Sequence, residues 1–161
     1  MPAALDVSYA IMKMEARGLK LDPALRVLVK TWPAMINRCT FCVDIARAIA
    51  VMEGIGLEKF EALPQWRTNP LFDGRERAAL QFVEEATRDR HVTDATFSEM
   101  KKHFNDREIV EITVLNAAEN FYNLLNIPLE IEEDGLCAIQ QDRKRSAQRA
   151  GGERSSSSLP A

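Results

Sequence analysis

The sequence predicts an all-α protein. Apolar residues recur at helical spacing as far as about residue 126, helix-capping residues precede several of these stripes, and alternating runs typical of strands are scarce. The 161 residues, of which 46% are apolar and 28% charged, suit one globular domain with room for a core. We therefore expect a single helical domain over residues 1–137.

The first two helices are predicted from their apolar spacing and from the residues that bound them. A stripe that begins at Val7 stops near Gly18. Asp22 is a good N-cap, and Pro23 fits the first helical turn because its missing N–H would be unpaired there in any case. Pro33 should bend or end this second helix, since proline removes a backbone donor and clashes with the preceding turn.

The third helix carries two of the three cysteines. It should begin near Asn37 and run to Gly54, which is a natural C-terminal stop. A shorter helical piece is expected from Leu57 to Leu63, followed by a loop that contains two prolines.

Capping residues predict the starts of the remaining helices. Asp73 and Glu76 form a capping-box pair, Thr93 can cap a short helix, and Asn105 begins a second capping box. The last helix, over residues 106–126, has apolar side chains on more than one face. Such a helix must be covered on several sides, so it is either central to the fold or shared with a second subunit.

The composition changes after the last predicted helix. The chain beyond residue 140 contains basic residues, two adjacent glycines and four consecutive serines, with almost nothing to bury. We expect residues 138–161 to form a disordered, basic, serine-rich tail.

Charge and composition argue against several classes of function. A net charge of -3 gives no electrostatic reason to expect nucleic acid as a partner. No signal peptide and no apolar run of membrane-spanning length is present, so we expect a soluble, cytoplasmic protein without a membrane partner. Nothing predicts a cofactor, and a zinc site is improbable because His91, His103 and Cys137 stand alone in other segments.

The CxxC motif Cys39-Thr40-Phe41-Cys42 is the one place where the chain offers reactive chemistry. At this spacing both sulfurs face the same way on a helix, and a thiol near a helix N-terminus is favoured as the nucleophilic thiolate. A thiolate that attacks a peroxide becomes a sulfenic acid, which the partner thiol can resolve to a disulfide. The alternative is that both cysteines are ordinary small residues of an apolar stripe.

Six short segments resemble, in the same order, the AhpD-like alkylhydroperoxidases of the carboxymuconolactone decarboxylase family. The resemblance spans roughly residues 5–132, and the ordered set is more specific than any single piece. The segments are LDPAL at 21–25, INRCTFCVD at 36–44, RERAAL at 75–80, VTD at 92–94, FNDREIVE at 104–111 and NFYN at 120–123.

This resemblance implies an all-helical AhpD-like array of several helices that assembles into homo-oligomers such as trimers or hexamers. It also implies a CxxC that acts as a peroxidase or disulfide-exchange centre, with Cys42 attacking a small hydroperoxide and Cys39 as its resolving partner. Electrons in alkylhydroperoxidase members come from lipoyl-type dithiols on a partner protein. Decarboxylase members of the family work without the cysteine pair, so its presence favours the redox branch.

Two positions depart from the family pattern. The family continues the motif as CxxCxxxH and places a glutamate twelve residues before the first cysteine, but this chain has Ala46 and Val27 at those positions. Neither hydrocarbon side chain can move a proton. Asp44 is a poor substitute because a nearby carboxylate disfavours a thiolate and a surface aspartate is usually just solvated, and Arg47 lies off the thiol's helical face.

Three interpretations follow from these substitutions. The chain is a thiol peroxidase or disulfide reductase that relies on other groups, a homologue whose dithiol senses oxidation without efficient turnover, or an oligomeric binding or scaffold protein that has lost the chemistry. Asn120 and Asn123 share one face of the last helix, where they either bridge neighbouring segments or line a pocket.

Overall fold

The computed structural model describes residues 2–142 and 145, and within these residues the secondary structure is entirely helical. This confirms the predicted all-α class. No helix in this part of the chain is both long and apolar enough to span a bilayer. The α-helices are α1 Pro2–Arg17, α2 Pro23–Asn37, α3 Thr40–Glu53, α4 Leu57–Glu61, α5 Gly74–Arg88, α6 Asp94–His103 and α7 Asp106–Asn126, with a 3₁₀ helix at Leu63–Gln65 between α4 and α5.

Helix α2 is the centre of the fold and packs against α3, α5 and α7. Its apolar residues are buried around most of its circumference, and the main core is completed by residues of α5, α6 and α7. The aromatic residues Trp32, Phe60, Trp66, Phe72 and Phe82 are all buried, as expected of core side chains.

The predicted cap residues hold the helix starts. Asp22 accepts a hydrogen bond from Leu25 N at the start of α2. Asp73 and Asn105 each form a complete capping box with the glutamate three residues later, at the starts of α5 and α7. Thr93 caps α6 through its hydroxyl oxygen alone, which accepts a hydrogen bond from Thr96 N. These caps satisfy backbone N–H groups that a helix start leaves without partners.

The junction between α2 and α3 differs from the prediction. Pro33 does not end α2, which continues for one more turn to Asn37. The chain then reverses at Arg38, whose φ of 61° and ψ of 35° lie in the left-handed region. Helix α3 begins only after Cys39, later than expected, because the tight reversal at Arg38 separates it from α2.

Helix α7 has the predicted bounds, and part of its apolar surface is exposed in the single chain. Val110, Val114 and Leu124, three of its apolar residues, are exposed in the single chain. Its buried face instead carries polar side chains alongside apolar ones, and these polar residues are Glu111, Asn116, Glu119, Asn120 and Asn123.

A further helical segment, residues 136–142, runs past the predicted domain boundary at residue 137. It is attached to α3 by Asp44, whose carboxylate accepts hydrogen bonds from the backbone N–H groups of Leu136 at 2.8 Å and Cys137 at 3.3 Å. Asp44 is therefore buried, and the expectation that it is a solvated surface residue is wrong. Apart from residue 145, the rest of the predicted tail lies outside the described residues.

Candidate functional site

The two cysteines of the motif occupy the N-terminus of α3 and are joined by a disulfide bond. Cys39 is the N-cap residue, and its sulfur accepts a hydrogen bond from Cys42 N at 3.3 Å. Cys42 lies in the first turn, where unpaired backbone N–H groups give the helix end a partial positive charge. This charge favours a thiolate once the disulfide is reduced.

Two asparagine amides of α7 point at the Cys42 sulfur. Asn123 Nδ2 donates to Cys42 Sγ at 3.1 Å, and Asn126 Nδ2 donates to the same atom at 3.4 Å. The orientation of the Asn123 amide is set by Asn37, whose Nδ2 donates to Asn123 Oδ1 at 2.8 Å. With its oxygen held in this way, Asn123 must present its N–H groups to the sulfur.

The asparagine network extends away from the sulfur into the contact between α5 and α7. Asn37 also donates to Asn120 Oδ1 at 3.0 Å. Asn120 in turn donates to Thr87 Oγ1 at 3.2 Å and to Asn116 O at 2.9 Å. The predicted bridging role of Asn120 and Asn123 is thus present, and Asn123 also reaches the candidate site.

A cavity of about 430 Å³ opens beside Cys42. Cys42 contributes to its wall and Cys39 does not. The wall is mostly apolar, and exposed residues such as Met12 and Ile49 at its rim place its mouth at the surface. The lining residues are Met12, Glu15, Leu19, Pro23, Arg26, Val27, Lys30, Phe41, Cys42, Ile45, Ala46, Ile49, Glu53, Leu115, Glu119, Tyr122 and Asn126.

Both positions that depart from the family pattern face this cavity. Val27 of α2 and Ala46 of α3 are in its wall, and they pack together in a small apolar cluster. The structure therefore places the two replaced positions beside Cys42, where they present hydrocarbon. Arg47 lies elsewhere, paired with Glu61 at 2.6 Å and packed over Phe60, as expected for a residue off the thiol's face.

Glu119 is the buried acid of the cavity, with only 6% of its surface exposed. Its Oε1 accepts a hydrogen bond at 2.8 Å from Asn123 Nδ2, the nitrogen that also contacts the Cys42 sulfur. Burial raises the pKa of Glu119 to about 7, an effect that Lys30 and the Asn123 bond oppose and that Glu15 reinforces. Near neutral pH this carboxyl group can therefore either take or give a proton.

Lys30 connects Glu119 with Glu15 across the cavity wall. Its Nζ lies 2.7 Å from Glu15 Oε2 and 3.9 Å from Glu119 Oε2. The ammonium also lies over the ring of Tyr122, whose centroid is 5.7 Å away. Burial raises the pKa of Tyr122 to about 12, with the Glu15 and Glu119 carboxylates adding to the effect, so its hydroxyl group stays protonated.

Sequence reasoning identified the cysteine pair but missed Glu119, Lys30 and Asn126 as members of the site. One signal was available for part of it. Glu119, Asn123 and Asn126 are spaced four and three residues apart, so they lie on one face of α7 and form a polar stripe in an otherwise partly apolar helix. That stripe faces the cysteines, which only the packing of α7 against α2 and α3 reveals.

The family model for the carboxymuconolactone decarboxylase family matches residues 2–85, just over half of the chain and including both cysteines of the motif. Among curated proteins, the chain is 34% identical over 139 residues to the uncharacterized protein YnjA of Escherichia coli (strain K12). That match covers 85% of this chain and 76% of YnjA.

Solved structures share the fold. A protein of unknown function from Agrobacterium tumefaciens, suggested to be the antioxidant defence protein AhpD, matches with a TM-score of 0.77 and 28% identity over 83% of this chain and 92% of that one. The debrominase Bmp8 matches with a TM-score of 0.76 and 19% identity over 88% and 77% of the two chains, a likeness of fold alone. The chain belongs to the carboxymuconolactone decarboxylase family, as an AhpD-like member.

Proposed function

We propose that this protein is a thiol-dependent peroxidase or disulfide reductase in which Cys42 attacks the substrate and Cys39 resolves the product. The observation that carries the proposal is the position of the Cys42 sulfur. It lies at a helix N-terminus, in the wall of a cavity, within reach of two amide N–H donors. The helix N-terminus and the two N–H donors favour a thiolate, and the cavity gives a substrate access to it.

The division of roles between the two cysteines rests on access. Both cysteines are buried, Cys39 at 2% exposed and Cys42 at 6%, but Cys42 lines the cavity and Cys39 is absent from the cavity wall. A substrate in the cavity therefore meets Cys42 first. Cys39 is already bonded to Cys42 in the oxidised state, so resolution requires no large movement of the helix.

The peroxidase reaction oxidises the two cysteines in two steps, and an electron donor then reduces them. The Cys42 thiolate attacks the terminal oxygen of a hydroperoxide, an S–O bond forms, the O–O bond breaks, and the alkoxide takes up a proton to leave as an alcohol. The Cys39 thiol then attacks the sulfenic acid, the S–S bond forms, and hydroxide leaves with the thiol proton as water. A small dithiol or a lipoyl-bearing protein reduces the disulfide and is itself oxidised, which restores both thiols.

The lining of the cavity supports a substrate with an apolar body. Leu19, Ile45 and Leu115 are among its walls, and its volume of about 430 Å³ is within the range of small-molecule sites. An organic hydroperoxide fits this chemistry better than a charged one, because a charged group would lose its hydration against these apolar walls.

A second candidate is a redox sensor whose dithiol closes without efficient turnover. The observation that favours it is the apolar pair Val27 and Ala46, which present hydrocarbon to the cavity where the family places proton carriers. This candidate shares the first oxidation step with the peroxidase and differs in the absence of sustained consumption of peroxide.

The test is consumption of cumene hydroperoxide by the reduced full-length protein with dihydrolipoamide as the electron donor. We expect sustained turnover, its abolition in Cys42→Ser, and a single stoichiometric burst in Cys39→Ser that leaves a sulfenic acid trapped by dimedone. The matched control is Cys137→Ser, since Cys137 is a buried thiol outside the cavity wall, and it should behave as the unmodified protein does.

The outcomes separate the candidates. A burst of one equivalent in the unmodified protein with no further consumption would favour the sensor. No oxidation of Cys42 by any hydroperoxide, together with no reduction of small aromatic disulfides, would overturn both.

A further inference from the structure

We propose that Glu119 is the proton carrier of the Cys42 site, in place of the glutamate and histidine that this chain lacks at Val27 and Ala46. The inference rests on the proposed thiol chemistry and names a residue for it. The inference is supported by geometry. Glu119 and Cys42 line the same cavity, and both accept a hydrogen bond from the same nitrogen, Asn123 Nδ2.

The shared nitrogen places the carboxyl group close to the reacting sulfur. Asn123 Nδ2 lies 3.1 Å from Cys42 Sγ and 2.8 Å from Glu119 Oε1, so the two acceptors are at most two hydrogen-bond lengths apart. A hydroperoxide whose terminal oxygen touches Cys42 Sγ can reach Glu119 with its second oxygen. The leaving oxygen then lies next to a proton donor.

Glu119 can accept the proton of the Cys42 thiol and later give it to the leaving alkoxide. The Glu119 carboxylate accepts the Cys42 thiol proton, which leaves the sulfur as a thiolate. After the thiolate has attacked and the O–O bond has broken, the Glu119 carboxyl group gives the same proton to the alkoxide, which leaves as an alcohol. Glu119 ends as the carboxylate, and the sulfur ends as the sulfenic acid that Cys39 resolves.

The surroundings of Glu119 fit a group that changes protonation near neutral pH. Burial raises its pKa to about 7, and the Lys30 ammonium at 3.9 Å prevents a larger rise. The charged and titratable groups that share the cavity with Glu119 come from all four helices around it: Glu15 of α1, Arg26 and Lys30 of α2, Cys42 and Glu53 of α3, and Tyr122 of α7.

The test compares two reactions of reduced protein in which the expected effects of Glu119→Gln have opposite signs. The reaction of Cys42 with cumene hydroperoxide should slow by about 100-fold because it loses its proton donor. Alkylation of Cys42 by iodoacetamide, followed on the Cys42 peptide by mass spectrometry in a Cys39→Ser background, should become a few-fold faster above about pH 7. Alkylation requires only the Cys42 thiolate, and the thiolate is more populated once the negative charge of the Glu119 carboxylate has been removed.

Further variants keep the test independent of folding. Glu119→Asp retains a carboxyl group and should recover at least tenfold over Glu119→Gln in the peroxide reaction. Lys30→Met removes the ammonium that stabilises the carboxylate, so the rising limb of the peroxide rate against pH should move to higher pH. The matched control is Glu99→Gln on α6, a surface glutamate outside the cavity wall, which should change neither reaction.

The outcomes are distinguishable from those of the proposed function. Unmodified protein that does not consume hydroperoxide overturns the proposed function, and the role of Glu119 with it. Unmodified protein that reacts while Glu119→Gln reacts equally fast overturns the role of Glu119 alone. Slowing of both the peroxide and the alkylation reactions shows a merely structural role and also overturns it.

Discussion

The carboxamide of Asn123 forms hydrogen bonds with three side chains of the candidate site, those of Cys42, Glu119 and Asn37. Its two N–H groups face the Cys42 sulfur and the Glu119 carboxyl group, and its oxygen is held by Asn37. A hydrogen bond to a charged acceptor is stronger than one to a neutral acceptor. The Asn123 contact therefore favours the Cys42 thiolate over the thiol.

Replacing Asn123 should lower the reactivity of Cys42. Asn123→Ala removes the donor at 3.1 Å, and we expect iodoacetamide alkylation of Cys42 at neutral pH to slow by about tenfold, equivalent to the roughly 1.5 kcal/mol of one such bond. Asn126→Ala removes the longer contact of 3.4 Å and serves as the comparison. An equal or larger effect of Asn126→Ala would contradict the dominant position assigned to Asn123.

Glu119 should also make the stability of the fold depend on pH. Its pKa is raised from 4.5 to about 7 by burial, so the folded state binds this proton more tightly than the unfolded chain does. The resulting stabilisation is complete below about pH 4.5 and is lost as the pH rises through about 7, with an upper magnitude of about 3 kcal/mol.

Urea unfolding of the reduced protein at about pH 5 and about pH 8 measures this contribution. Relative to Glu119→Gln, which cannot titrate, the unmodified protein should lose free energy of unfolding between the two pH values. Parallel behaviour of the two proteins across this range would show that Glu119 does not change its protonation there.

At the scale of helices, the cap residues were predictable and the junction that builds the site was not. Three helix starts could be predicted because the N-cap side chain accepts a hydrogen bond from a backbone N–H group only three residues away. These N-cap residues are Asp73, Thr93 and Asn105. Pro33 misled the prediction because its local preference is overridden by burial of α2 between three neighbouring helices. The start of α3 at Thr40, directly after Cys39, follows from that continuation.

The helical segment 136–142 should depend on Asp44. Asp44→Ala removes the acceptor of the Leu136 and Cys137 backbone N–H groups, so the segment should detach and expose the Cys137 thiol. We expect labelling of Cys137 by a maleimide in native conditions to accelerate at least tenfold, since burial now protects the thiol and raises its pKa.

The control for this change is Gln141→Ala, which removes only the side-chain contact to Cys137 at 3.6 Å and leaves the backbone anchors in place. Its effect on labelling should be small. Unchanged labelling of Cys137 in Asp44→Ala would show that other contacts hold the segment.

At the scale of the whole molecule, the helical architecture and the cysteine pair were predictable from the sequence, whereas the acid of the candidate site depended on tertiary packing. Glu119 follows Cys42 by more than seventy residues, and the polar stripe that it forms with Asn123 and Asn126 does not show which helices this face contacts. Its burial and its contact with Asn123 arise only when α7 packs on α2 and α3. Long-range pairings of this kind carry no periodic signal in one sequence.

Assembly with other copies of the chain stays a prediction. Helix α7 exposes Val110 and Leu124 at 60% and 69%. Sedimentation velocity at several protein concentrations should show a species larger than the 18.2 kDa chain, and Val110→Glu should shift it toward the monomer. A single monomeric species of the unmodified protein at every concentration would contradict this expectation.

The left-handed backbone at Arg38 makes this residue a useful target for laboratory evolution. A residue with a Cβ atom pays about 1 kcal/mol for that conformation, which glycine adopts readily. The side chain of Arg38 is exposed and forms no part of the cavity wall. A screen of random variants for survival of heating should therefore enrich glycine at position 38. The selected variants should retain the reactivity of the cysteine site, because the added stability comes from the backbone conformation alone.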